Sequence, residues 1–159
     1  MTELGETLRQ TRMAVALLGD LAALRGPERS IGYRWFMTPG ARDLHPADDH
    51  PFYSRMYASG LRELTARRGP GSRAAAYASL LLERSAEFRA VWERHEVGVR
   101  PRETKRFVHA EVGELDLACQ QLVDPAASHT LLVYTAIPGT PSHERLALLS
   151  VLADAGSAG

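Results

Sequence analysis

One cysteine, Cys119, stands in 159 residues. The chain can therefore form no disulfide within itself and offers no thiol set for zinc. An excess of either charge is lacking as well: Lys and Arg number 19, as do Asp and Glu, and the formal net charge is zero. A free-standing nucleic-acid binder is usually strongly basic, so this balance argues against one while leaving room for a local basic patch. No run approaches the ~18 consecutive apolar residues of a spanning helix. The opening "MTELGETLRQTRMAVALLGD" is acidic early and has no long apolar core, unlike a secretory signal. Glycine-rich phosphate loops, a serine elbow, paired carboxylates and internal repeats are all missing. These absences point to one cytoplasmic domain, 45% hydrophobic and 24% charged, with a chain long enough for a buried core. Residues 153–159, "ADAGSAG", read as a flexible tail.

What is present changes period halfway along. From Glu6 to Leu24, apolar residues recur at helical spacing, with Leu8, Val15, Leu18 and Leu21 on one side. Gly26-Pro27 stops them. "IGYRWFM" suits a short helix through Ile31, Trp35 and Phe36, although its alternation also suits a strand. Asp49 or His50 is placed to cap a helix that ends at "RRGPGS". Another runs from about Ser72 through Leu82. Ser85 caps the next, where Phe88, Val91, Trp92 and His95 form one stripe.

From Lys105 onward the pattern is that of strands. A turn at Glu111-Val112-Gly113, with Gly113 left-handed, sets Phe107 opposite Leu117 and His109 opposite Leu115. Phe107, Leu115, Leu117 and Cys119 then share one face, and Arg106, Glu114 and Asp116 the other. "HTLLVYTAI", His129 to Ile137, is apolar on both faces, as a central or doubly covered strand is. Ser142 is placed to cap a last helix with Leu146, Leu149 and Leu152 on one stripe. The sum is an α+β fold: helices on a small antiparallel sheet of three strands.

The aromatic group Tyr33, Trp35, Phe36, Phe88, Trp92 and Phe107 can either line an apolar cavity or simply fill the core. With His109, Leu115, Leu117 and Val133 it makes up the candidate ligand-lining set. A carboxylate on such a ligand needs a cation or a hydrogen-bond donor. Arg34, Arg106, His109, Tyr134 and Tyr33 qualify by type. Arg106 falls on the charged face, which leaves His109, at the end of the apolar face, as the preferred anchor. His45, Asp48, Asp49 and His50 gather in "HPADDHP", but their spacing fits no metal or catalytic motif, and a helix-capping loop accounts for them. Cys119 reads as a structural cysteine, and the basic run Arg67 to Arg73 as a helix end. No catalytic residue, metal or cofactor is assigned.

Four blocks occur in order: "ALLGDLAALRGPERSIGYRWFMTPGARDLHP", "RSAEFRAVWERHEV", "KRFVHAEVGELDL" and "LLVYTAIPGTPSHERLALL". Together they resemble the ligand-binding domain of MmyB-like transcription regulators, over roughly Met13 to Leu152. The resemblance implies a PAS-like domain with a cavity between sheet and helices, associated with fatty-acid-like ligands. It also implies a preceding helix-turn-helix DNA-binding domain, for which there is no room before Met13. A β-hairpin usually supplies the first two strands in relatives; here "MTELGETLRQTRM" stands in its place and reads as helix. The three-stranded sheet is then left with a bare edge, to be covered by a second subunit or by the N-terminal helix. The expected function is a non-enzymatic sensor with no direct DNA or membrane binding. A fatty-acid-like or other apolar molecule would change homodimer geometry or partner affinity. The rivals are a structural dimerisation module with a filled core and a small enzyme acting on a lipid-like substrate.

Overall fold

Hydroxyl side chains open four of the helices, each accepting a hydrogen bond from the backbone N–H three residues on. Thr11 does so for α1 (Arg12–Leu18), Ser30 for α2 (Ile31–Met37), Ser72 for α4 (Arg73–Arg84) and Ser85 for α5 (Ala86–Trp92). The long α3 spans His50–Arg68 and α6 spans Pro141–Ala155. Between α5 and α6 the chain forms β1 (Thr104–His109), β2 (Gly113–Asp124) and β3 (His129–Thr135), one antiparallel sheet in the order β1-β2-β3. This computed structural model describes residues 1–155. Of the expected tail, 153–155 belong to α6, and the remainder lies outside the described residues.

The fold is α+β, and residues 31–37 are helical. Several local expectations are corrected. The first helix covers only Arg12–Leu18, not Glu6 to Leu24. Gly19, at φ +79°, ends it, and residues 3–10 are held by tertiary bonds that a helix could not make. Ile31 N–H donates to Gly5 O at 3.1 Å, Thr7 N–H to Arg29 O at 3.1 Å, and Ser30 Oγ to Leu4 O at 2.7 Å. In the hairpin, Phe107 pairs with Leu115 and His109 with Gly113, two residues away from the expected register. Val112 explains the shift. Instead of standing in solvent at the turn, it is buried against Leu17, Leu115 and Leu149. A shift of two keeps every side chain on its own face, so the inner side remains apolar.

β3 is an edge strand, not a central one, and its Leu131 is 60% exposed. The edge is covered in part by an extended N-terminal segment instead of a helix. The Met1 ammonium donates to Thr130 O at 2.7 Å, and Thr130 N–H donates to Met1 O at 2.9 Å. By alternation, Leu132 and Tyr134 turn their backbone groups to the same edge. Ser142 does not cap α6: its Oγ accepts from Asp116 N–H at 2.9 Å, and Thr140 Oγ1 takes the capping bond from His143 N–H at 3.3 Å. Asp49 likewise makes no side-chain cap to α3.

Three apolar clusters hold these elements together. Phe107, Leu115 and Leu117 from the sheet meet Leu17 of α1 and Leu149 of α6. Ala58, Leu81, Phe88 and Val91 join α3, α4 and α5. Trp35, Tyr53 and Met56 join α2 to α3. The clusters leave space between the inner face of the sheet and α2/α3, where the two cavities lie.

Candidate functional site

The parity of β1 puts Lys105 and Phe107 on the inner face of the sheet. Across from them, α2 offers Ile31, Arg34 and Trp35, and α3 offers Tyr53 and Tyr57. Leu132 and Tyr134 of β3 and His45 from the loop before α3 complete the walls of a cavity of about 350 Å³. That volume falls within the ~300–1,000 Å³ range of small-molecule sites. A larger hollow of about 550 Å³ adjoins it, with Tyr57, Lys105, Leu132 and Tyr134 lining both. The N-terminal segment borders both as well, Thr2 to Gly5 on the larger side and Thr7, Arg9, Gln10 and Thr11 on the smaller.

The smaller cavity is aromatic and basic. Among the described residues no Asp or Glu lines it, while Arg9, Arg34 and Lys105 do. Lys105 is 8% exposed, and burial lowers its pKa from the ordinary lysine value. Its Nζ sits 5.9 Å from the Tyr134 ring centroid. Arg34 Nε is buried with no hydrogen-bond partner among the described residues. Burial lowers the Arg34 pKa too, opposed by the field of exposed Glu28. The tyrosine hydroxyls remain protonated: burial pushes Tyr53 up to about 12 and raises Tyr57 and Tyr134 further.

His45 is packed between Tyr53, at 4.5 Å between ring centroids, and Phe107, at 5.1 Å. Its Nδ1–H donates to Arg106 O at 2.9 Å. Burial lowers its pKa from 6.5, and Lys105 and His50 act in the same direction, against that hydrogen bond and Asp49. The folded state therefore binds a proton at His45 less readily than the unfolded chain does. Stability is retained above pH ~6.5 and falls as the unfolded state takes up its proton below that value. The carboxylates held low, Asp49 among them, lose their contribution only in a more acidic range. The stability lost between about pH 7.5 and about pH 5.5 should accordingly shrink in His45→Phe. Urea unfolding at the two pH values checks this; an equal loss in both proteins would remove His45 from the account.

The sequence-derived residues divide. Trp35 and Phe107 line the smaller cavity, and Tyr33, Phe36 and Phe88 the larger hollow. The other five lie elsewhere. Trp92 lies beneath the Arg62 guanidinium at 4.0 Å. Leu115 and Leu117 are sealed into the cluster around Leu149. Val133 alternates with Leu132 and Tyr134 and so takes the opposite face of the sheet. His109, the preferred anchor, is held at the hairpin end, its Nε2–H donating to Ala16 O at 3.0 Å and its Nδ1 accepting from Glu111 N–H at 3.2 Å. Arg106 is committed to Asp49 at 2.9 Å and Asp48 at 2.8 Å, and Arg102 also reaches Asp49 at 2.5 Å. His50 donates to His45 O at 3.0 Å, so each polar residue of "HPADDHP" has a protein partner.

Lys105, Tyr53 and Tyr57 were missing from the sequence-derived set. Lys105 carried a signal: it has the parity of Phe107, and a charge at an inward strand position is costly to bury. The tyrosines carried none beyond an apolar helix face.

A family model described as the MmyB-like transcription regulator ligand binding domain matches residues 1–149. No curated protein and no solved structure matches the chain.

Proposed function

Because the chain belongs to the family of MmyB-like transcription regulator ligand-binding domains, we propose that it senses an apolar, fatty-acid-like small molecule held between the sheet and helices α2 and α3. The observation that carries this reading is the aromatic-walled cavity of about 350 Å³, adjoined by the larger hollow. A filled core, as the structural-module reading requires, would leave no such space. The site is read as a binding site, not a catalytic one. His45, His109 and Arg106 are engaged with protein groups, and the only cysteine, Cys119, lines neither cavity.

Signalling is by population shift: a ligand that prefers one arrangement of the walls moves the protein toward it. The N-terminal segment is the wall best placed to respond. It borders both cavities, and the Gln10 side chain ties it to the chain beyond α1. Gln10 Oε1 accepts from Leu21 N–H at 2.8 Å and Ala22 N–H at 3.1 Å, while Nε2 donates to Gly19 O at 3.0 Å. Movement here would alter the β3 edge that Met1 covers, and with it homodimer or partner contacts. The outward side of α6, where Leu148, Val151 and Leu152 are exposed, is a second surface for such contacts.

Titration with saturated fatty acids of graded length, followed by thermal shift and light scattering, tests the proposal. A concentration-dependent rise in Tm with a change in assembly is expected. A rise in Tm without any change in assembly would retain the site and remove the dimer mechanism. No rise at any chain length would remove the fatty-acid reading.

A further inference from the structure

Many of the arginines that reach the interior of this protein are matched to carboxylates. Arg42, Arg55, Arg73, Arg102 and Arg106 each hold one at 2.5–2.9 Å. The wall of the smaller cavity has no such pair; elsewhere Arg29, whose Nε is likewise buried without a partner, donates from Nη2 to Thr7 O. Lys105 is only 8% exposed, and no carboxylate among the described residues acts on it. Arg34 has a buried Nε without a partner, and no carboxylate lies within ion-pair distance of it. Burying a charge without a counter-charge is costly, and proteins ordinarily pair such groups.

We infer that Lys105 and Arg34 form a head-group site that selects an anionic amphiphile, its charged end inside the smaller cavity and its tail along Leu18, Leu21, Ile31 and Leu44. This rests on the proposed ligand cavity and adds the charge, orientation and anchor of the ligand. The residues divide the work by chemistry. Lys105 supplies a compact point charge on a flexible stem, and Arg34 a planar donor fork that suits a carboxylate. Tyr57 lines the same cavity. Its hydroxyl, protonated at neutral pH, can donate to the same head group. The apolar residues exclude water, which strengthens the charge–charge attraction. The arrangement favours a carboxylate over an uncharged group of equal length, because only the carboxylate satisfies the cations.

The test compares dodecanoate with 1-dodecanol, two twelve-carbon probes that differ at the head group, by calorimetric titration of the whole chain. Wild type should bind dodecanoate about ten- to a hundredfold more tightly. Lys105→Met and Arg34→Met should each reduce that ratio, and the double variant should bring it near one. Equal affinity of wild type for both probes would overturn the head-group site while leaving the cavity reading intact. Variants that keep the full ratio would overturn the assignment to these residues. Binding of neither probe would overturn the cavity reading and the anchor together. The wild-type comparison requires no variant to fold.

Discussion

Replacing Phe107 with alanine should destabilise the protein by about 3–5 kcal/mol. The ring is 1% exposed and stands at the middle of the inner face of the sheet. It packs edge-on to Tyr134, with centroids 5.4 Å apart, and lies 5.1 Å from His45. It also belongs to the cluster that fastens α1 and α6 to the sheet through Leu17 and Leu149. Removing it deletes buried apolar surface and merges the new void with the existing cavity, so the walls have little to collapse onto. Urea unfolding should show a lower midpoint at unchanged slope. A loss below about 1 kcal/mol would mean that these elements are held together elsewhere.

Lys105→Met should act in the opposite sense on the ligand-free protein, raising its stability by about 1–3 kcal/mol. Methionine retains a long unbranched stem for packing beside Tyr134 and removes a buried cation that has no counter-charge. A residue that weakens the empty protein is the ordinary mark of a functional site. Saturating dodecanoate should narrow or reverse the difference, because it stabilises wild type more than the variant. Thermal melts of both proteins with and without the probe check this. A destabilised ligand-free variant would indicate that the ammonium already has a satisfying environment.

Much of the fold was legible because its signals are local. Ser72 and Ser85 mark helix starts by their own side-chain chemistry, and the alternation of Phe107, Leu115 and Leu117 identifies an inner face whatever the register. Contacts distant in sequence were not legible. The N-terminal helix is shorter than its apolar period suggests, because the period at Leu8 and Leu21 continues past Gly19 and takes no account of what Gln10 and Gly5 bond. The hairpin register depended on whether Val112 would be buried, which is decided by Leu17 and Leu149. Thr140 and Ser142 compete for the same cap, and the nearby Asp116 N–H decides between them.

The candidate site was legible to a smaller degree, for a physical reason. A cavity wall and a core demand the same apolar residues, so Phe107 and Leu117 look alike in sequence although only the first borders space. Polar residues discriminate better. His109 drew attention by type, but its ring is occupied by Ala16 O and Glu111 N–H. Lys105 is the informative one, since its parity sends a charge inward.

The most direct test is native mass spectrometry of the protein purified from cells, followed by solvent extraction of whatever it carries. The expected result is a bound molecule with an apolar chain and an acidic head group, retained by wild type and lost or exchanged in Lys105→Met. Protein that arrives empty and stays empty when exposed to dodecanoate would overturn ligand sensing and leave the cavity as unoccupied space beneath a structural module.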